Sequence, residues 1–413
     1  MKFSLITPTH NITHLPELYQ SILDQTYSNW EWIILLNNVD PSTIPHSMLI
    51  DARVKIYIDD SGNTKVGYLK NVAFHKGTGD VLVEIDHDDI LMPTCLEQLV
   101  IPFNMPHIGF VYSDNAKLQT NGEFVPYSSD FGWSMYEMPF RAGKLPVMEG
   151  FEPSFGSLAF ISYMPDHVRA WRASVYRELG GHNVDYAVLD DHELIVRTYL
   201  ATEFYYIKEP LYIYRIHGAN TWLSNADEIQ KGTYELFLKY AYQIAERQAD
   251  LLNLMKVDLG GGIDKRHGYT SVDQFDGDII ADLNEGIPLP DNSVGVINAS
   301  HVLEHLKDPI KSMSEIHRVL CDGGVAFIDV PSTDGRGAWM DPTHVSGWNQ
   351  NSFWYYTRRE QARYIRNTTI RFQTFRLETH YPNKWWEDNK IPVTTAWLVA
   401  VKSDKRRPHP INI

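Results

Sequence analysis

Three carboxylates within four residues, Asp86, Asp88 and Asp89, stand with His87 directly after the apolar run DVLVEI. Like charges this close repel unless a cation or many donors lie beside them. A hard divalent cation with oxygen ligands is the simplest compensation, although a turn that exposes its acids accounts for the same spacing. Further along, LGGHNVDYAVLDDHEL offers Asp190, Asp191 and Glu193. Asp190 and Glu193 are spaced as a helix capping box, with Asp191 a first-turn acid favoured by the helix dipole. His217, in PLYIYRIHGANT, follows an expected strand and precedes a glycine turn; taken alone, such a histidine reads first as a structural residue. A second group begins at MKVDLGGGIDKRHGYTSVDQFDG, a strand, a glycine-rich turn and a strand closing on Asp273. A glycine cluster after a strand is by itself an ordinary tight turn, but an acid ending the next strand suits ribose hydroxyls.

These residues need elements that bring them together. KFSLIT, EWIILL, VKIYI and DVLVEI read as short strands. Between the first two, Leu15, Leu18, Tyr19, Ile22 and Leu23 recur at helical spacing. Between the last two lies a helix carrying Leu69, Val72 and Ala73, stopped by Gly77 and Gly79. This alternation implies a mostly parallel sheet whose ligands bind beyond the strands' carboxyl ends, where DHDD stands. The stretch 120–165, aromatic and rich in Gly and Pro, reads as a long loop region over the site. Residues 227–255 read as an amphipathic helix with Phe237, Tyr240, Ile244, Leu251 and Met255 on one side. A second βα series starts near residue 256. The expected division is 1–226, a linking helix 227–253, and 254–413.

The bulk composition sets limits. With 43% hydrophobic and 22% charged residues in 413, each half can bury a core. The balance of 37 basic against 52 acidic residues, −15, argues against a nucleic-acid partner. No apolar run approaches the ~20 residues that span a bilayer, and the opening MKFSLITPTH is too soon polar for a signal peptide. Cys95 and Cys321 lie far apart without CxxC spacing, so neither a disulfide framework nor a zinc knuckle is expected and a reducing cytoplasm fits.

Six segments in order carry a family resemblance: ITPTHN after the first strand, WIILLNN, GYLKN, DHDD with IL, LGGHN…LDDHEL and YRIHGANT. Together they make residues 1–226 resemble the family-2 glycosyltransferases of GT-A fold. The resemblance implies an inverting, metal-dependent transfer of a sugar from a nucleotide-diphosphate donor, a UDP-sugar for preference, to a glycan hydroxyl. It places Thr7, Pro8 and Thr9 along the nucleotide. Asn37 and Asn38 stand where the family usually has acids touching the base. Asp86 and Asp88 match the DxD motif, Asp86 near the ribose and Asp88 on the metal, with His217 completing the metal shell. Asp191 matches the catalytic base, supported by Asp190 and Glu193. A mixed oxygen and imidazole shell suits Mn²⁺ better than Mg²⁺. A nucleotidyltransferase would need a Gly-rich, Arg/Lys-bearing loop after the first strand, where this chain has HNITHLPE.

The second series continues IIADLNEGIPLPDNSVGVINASHVLEHLKDP…IHRVLCDGGVAFIDVPS and resembles the class I methyltransferases that use S-adenosylmethionine. By that resemblance Asp258, Gly260 and Gly262 form the cofactor loop, Asp273 takes the ribose, and Asp282 with Leu283 lies near the adenine. His301 begins a helix beside the methyl-transfer site. A third glycine of the motif is replaced by Ile263 and Asp264, with Gly268 following later. Two Rossmann-like α/β domains are therefore expected, the second methylating the glycan or, alternatively, serving as a non-catalytic module for packing or acceptor recruitment. WMDPTHVSGWNQNSFWYY, dense in Trp, His and Asn, suits sugar stacking or an aromatic core patch equally.

Overall fold

The computed structural model describes residues 1–120, 129, 132–160, 164–218, 220, 225–367 and 369–408. They form two compact units, Met1–Ala241 and Tyr242–Arg406, dividing within the helix Ala226–Leu251. That helix stops at Leu251. Asn253 then takes a left-handed φ of 54°, and Met255, expected on the helix, instead opens a strand.

In the first unit β1 (Phe3–Thr9), β2 (Trp30–Asn37), β3 (Val54–Asp59) and β4 (Val81–Glu84) lie parallel in the order β3-β2-β1-β4. β2 is buried along its length, as a strand covered on both faces must be. Trp32, Ile34 and Leu36 pack with Leu15, Leu18 and Ile22 from one helix and Cys95, Leu96 and Leu99 from another. The sheet continues through β5 (Ile90–Leu91), β6 (Ile108–Gln119), a hairpin of β7 (Met135–Phe140) and β8 (Gly143–Met148), β9 (Arg169–Arg172) and β10 (Glu203–Ile216). Beyond β4 the order is β9-β6-β10-β5, with β8 joined to β6.

The expected loop region thus holds the β7–β8 hairpin and a helix Phe155–Phe160, with 121–128, 130–131 and 161–163 outside the described residues. Its strands escape a periodicity reading because few positions face inward: Met138, Leu145 and Val147 cluster with Ile90, Ala116 and Ile213.

The second unit has β11 (Met255–Leu259), β12 (Thr270–Asp273), β13 (Ile279–Ile280), β14 (Val294–Ser300), β15 (Leu320–Pro331), β16 (Phe372–His380) and β17 (Val393–Ala400). Their order is β13-β12-β11-β14-β15-β17-β16, parallel as far as β15, with β17 antiparallel to both neighbours. Both units are α/β and Rossmann-like. In each the chain winds outward over three strands and then returns to the far side of the first. This places a ligand crevice past the carboxyl ends of β1 and β4, and of β11 and β14.

Each unit holds one cysteine. Cys95 is fully buried and burial pushes its thiol pKa up. Cys321, on β15, is partly covered and likewise raised by burial. Among the described residues no helix is long and apolar enough to cross a membrane.

Candidate functional site

β4 runs straight into the acidic turn, where the Asp89 amide donates to the Asp86 carbonyl at 3.3 Å. β10 fastens that turn from the side. The Asp86 amide donates to the Tyr212 hydroxyl at 3.0 Å, the Arg215 amide to Asp89 Oδ1 at 2.7 Å, and Arg215 Nε to the Asp88 carbonyl at 2.6 Å. Two residues on, His217 Nε2 lies 2.7 Å from Asp88 Oδ2. Its amide donates to Asn220 Oδ1, while Ala219 and Thr221 of the same motif lie outside the described residues.

The acids therefore divide. Asp89 is a buried fastener whose carboxyl burial raises well above its ordinary range, with Asp88 and Asp86 adding to the effect. Asp86 is half-buried; burial raises its pKa against the pull of His167, whose Nε2 is 3.6 Å from Asp86 Oδ2, and of Lys70. Asp88 and His217 present a carboxylate oxygen and an imidazole nitrogen side by side. Two ligands on one cation at about 2.1 Å each lie roughly 3 Å apart at right angles, so this pair fits a divalent ion. Glu84, Asp86 and His167 also offer ligand atoms within 4.8 Å of one another, but Glu84 is already engaged by cations of the chain.

Those cations tie the turn to the expected base. Lys70 Nζ donates to Glu84 Oε1 at 2.8 Å and lies 3.6 Å from Asp190 Oδ2. Arg169 Nη1 donates to Asp191 Oδ2 at 2.5 Å and lies 3.5 Å from Glu84 Oε1. Burial alone would raise the Asp191 pKa; the Arg169 charge, with Lys70, holds it down to about 2. Burial likewise works against the charge of Lys70, but Asp190, Glu84, Asp191 and Asp86, in that order, lift its pKa well above the ordinary value.

The helix Asp190–Ala201 starts after Leu189, which has a φ of 66°, and no side chain caps it. The capping box is absent because its members are engaged elsewhere. Asp190 faces Lys70, and Glu193 accepts from Arg197, which in turn donates to the Leu179 and Gly181 carbonyls. Glu193 thus braces the LGG loop, a correction to its expected support of Asp191. The GYLKN helix, Val66–Phe74, holds that loop from the other side. Asn71 Nδ2 donates to the Gly180 and His182 carbonyls, and a Cβ on Gly67 would meet the Asn183 oxygen at 2.2 Å.

At the nucleotide end, Thr7 is fully buried and its hydroxyl accepts from Trp32 Nε1 at 2.9 Å. Its side chain belongs to the packing between strands, which corrects its expected place along the donor. Pro8 is half-buried, and Thr9 closes the turn through Asn11. Asn37 is buried, with Nδ2 donating to Asp59 Oδ2 and the Asn63 carbonyl, both at 3.1 Å; Asn38 is exposed. An acid thus stands beside Asn37 after all, contributed by β3. Arg169, His167 and Asp59 carried no signal, because each lies in an ordinary strand or loop stretch of sequence. Lys70 could have been found, as a lone charge inside an otherwise uncharged helix.

In the second unit Asp258 is buried and accepts from Asn298 Nδ2 and the Arg266 amide, both at 2.7 Å. It locks β11, β14 and the glycine loop. Gly260 and Gly262 have φ of 69° and 51°, a conformation that favours glycine. The nearest atoms to a Cβ on Gly262 would be Asp276 O at 3.6 Å and Asp273 Oδ2 at 3.8 Å, so the loop and the acid face one space. Asp273 Oδ1 accepts from the Phe275 and Asp276 amides. Asp282 Oδ1 accepts from Asn284, and Leu283 packs on the core. This cradle fits the nucleoside part of S-adenosylmethionine.

His301 does not begin a helix: it has a φ of 56°, a 3₁₀ turn Leu303–His305 follows, and the helix starts at Pro309, capped by Asp308. Pro at the first position with an Asp cap sets that start. His301 instead borders a cavity of about 300 Å³, lined also by Asp329, Arg376, His380, Thr395 and Trp397. There Thr395 donates to Asp329 Oδ1 and accepts from His380 Nε2 at 3.0 Å, which leaves His380 Nδ1 as an acceptor. No motif marked this chain of residues. In the WMDPTHVSGWNQNSFWYY stretch, Trp348 is core and Asn349 forms a capping box with Ser352, while Trp339 is exposed.

Comparison with known proteins finds a family model on each of two separate stretches of the chain. Residues 4–162 match the family model described as glycosyl transferase family 2, and residues 248–328 the one described as methyltransferase domain. The chain is 25% identical over 222 residues to the O-antigen biosynthesis protein RfbC of Myxococcus xanthus, covering 51% of this chain and 15% of that protein. It is 27% identical over 127 residues to the UDP-Glc:alpha-D-GlcNAc-diphosphoundecaprenol beta-1,3-glucosyltransferase WfgD of Escherichia coli, covering 30% of this chain and 50% of that one. The chain thus spans half or less of the length of these relatives. The structure of S. aureus TarS 1–349 with UDP-GlcNAc aligns at TM-score 0.45 and 17% identity, covering 61% of this chain and 72% of that one. The chain joins a family-2 glycosyltransferase domain to a methyltransferase-like domain.

Proposed function

We propose that the N-terminal unit transfers a sugar from a nucleotide-diphosphate donor, a UDP-sugar for preference, to a glycan hydroxyl with inversion. The observation that carries this reading is the buried Lys70–Arg169 pair, which joins Glu84 at the root of the acidic turn to Asp190 and Asp191. Donor and acceptor functions are thereby held in one charge network. Asp88 and His217 would hold a divalent cation, Mn²⁺ rather than Mg²⁺. Its contribution when bound is neutralisation of charge on the leaving diphosphate. Asp86 would face the ribose, and Asp59, positioned by Asn37, the base.

Asp191 takes the proton of the attacking hydroxyl. With a pKa of about 2 it is ionised throughout the physiological range yet a weak base, so alignment supplies most of the acceleration. The test is a transfer and hydrolysis screen of UDP-, GDP- and dTDP-sugars with Mn²⁺, read as nucleotide release; no turnover with any of them defeats the reading.

For the second unit we propose methylation of a glycan hydroxyl. Gly260, Gly262 and Asp273 bind S-adenosylmethionine, which supplies the methyl group. His380, oriented through Thr395 by Asp329, accepts the hydroxyl proton in the adjoining cavity. A relative named for O-antigen biosynthesis and one named for glucosyl transfer to alpha-D-GlcNAc-diphosphoundecaprenol support a glycan as the shared acceptor class.

A further inference from the structure

Glu304 is 3% exposed, and neither of its carboxylate oxygens has a hydrogen-bond partner among the described residues. A buried carboxylate left in that state is strongly disfavoured unless a cation joins it. Two imidazoles stand beside it: one ligand atom from each of Glu304, His305 and His344 lies within 4.8 Å of the others.

The histidines are held in the tautomer that metal ligation needs. His305 Nδ1 lies 3.2 Å from the Thr343 carbonyl and 3.1 Å from the Thr343 hydroxyl, whose own proton goes to Asp341 Oδ1 at 2.6 Å. Both Thr343 oxygens therefore accept, and Nδ1 carries the hydrogen. His344 Nδ1 donates to the Ala338 carbonyl at 3.1 Å. In a neutral imidazole each Nε2 is then left with its lone pair, the arrangement in which an outer partner orients a metal-binding histidine.

The two segments are also stapled together without any ion. The Val345 and Ser346 amides donate to the Glu304 carbonyl at 2.9 and 3.1 Å, and Ser346 Oγ to the Leu303 carbonyl at 2.9 Å. Asp341 Oδ2, 3.9 Å from His344 Nε2, is a fourth oxygen at the rim.

We propose that Glu304, His305 and His344 form a binding site for a late first-row divalent cation, Zn²⁺ foremost. Two imidazoles with one or two carboxylates suit that class and not Mg²⁺ or Ca²⁺. Ligands on tetrahedral zinc stand about 3.4 Å apart, so the donors close in by roughly an ångström on binding. The ion pins the 338–346 segment to the turn after β14. It also fixes the carboxylate whose Oε1 lies 3.4 Å from Nδ1 of His301, which borders the cavity. The site is independent of the sugar-transfer and methyl-transfer readings, and its test uses no turnover.

The full chain, stripped by chelator, is titrated with Zn²⁺ by calorimetry and with Co²⁺ by visible absorption, as wild type, His344→Ala, His305→Gln and Asp88→Ala. Wild type and Asp88→Ala are expected to bind zinc here, to show tetrahedral cobalt bands and to melt higher with zinc. Both histidine variants, with circular dichroism unchanged, are expected to lose affinity by more than the ~100-fold that removal of an outer partner can cost. Should His344→Ala fail to fold, His305→Gln decides. Zinc binding undiminished in the histidine variants, or absent from wild type and Asp88→Ala, overturns the site.

Discussion

At the scale of single residues, the informative feature is that Asp191, the expected base, owes its ionisation to a partner unmarked in the sequence. Asp191 is low because of Arg169. Asp191→Asn is expected to lower transfer by at least ~10²-fold, the effect of losing a general base, while donor binding measured by calorimetry is retained. Arg169→Leu makes a sharper case. Without the guanidinium, the largest influence holding the carboxyl down is gone and its pKa rises from about 2. The acid limb of the pH–rate profile then moves upward, so the variant loses rate at mildly acidic pH where wild type keeps it. An unmoved limb assigns proton transfer to another group. In the second unit, Asp273→Ala is expected to weaken S-adenosylmethionine binding by about 1.5–3 kcal/mol, the range for hydrogen bonds to a charged group. Calorimetry on wild type and variant reads this directly.

At the scale of elements, the GYLKN helix is the part on which the N-terminal site turns. It contacts the LGG loop through Gly67 and Asn71 and the acids through Lys70. Lys70→Met takes away the cation between Glu84 and Asp190 and leaves Glu84 only the Arg169 guanidinium at 3.5 Å, and urea unfolding is expected to show a loss of about 3–5 kcal/mol, as for a broken buried pair. The same network sets acid stability. Glu84 and Asp191 both titrate below their ordinary values when folded. Their contribution is therefore complete above about pH 4.5 and is lost as pH falls toward 2. Melting temperature across that interval checks the sign.

The strands and the DHDD turn were legible because period, glycine stops and strand-end placement are local. The β7–β8 hairpin was not, since few of its side chains reach a core built by distant strands. Nor was the fate of Asp190 and Glu193 legible. A capping box is a local pattern, and here Lys70, from another helix, engages Asp190, while Arg197, four residues on in the same helix, engages Glu193. Thr7 shows the same limit: only the neighbouring strand's Trp32 reveals that its hydroxyl faces inward.

At the scale of the molecule, two separate cores mean two separately addressable stabilities. A ligand stabilises the state that binds it, by about 2.7 kcal/mol at a hundred times its Kd. UDP with Mn²⁺ is expected to raise the melting transition of the N-terminal unit, and the demethylated cofactor that of the C-terminal unit; calorimetric scans distinguish the two. The placement of the cysteines turns this into a chemical clock. A thiol reacts as its thiolate, and Cys95, sealed among Leu96, Leu99 and Ile22, has neither access nor ionisation while its helix is packed. Alkylation of Cys95 therefore counts openings of the first unit, and alkylation of Cys321 openings around β15 in the second. A peptide map of one timed labelling reaction would record, within a single intact chain, which half breathes first.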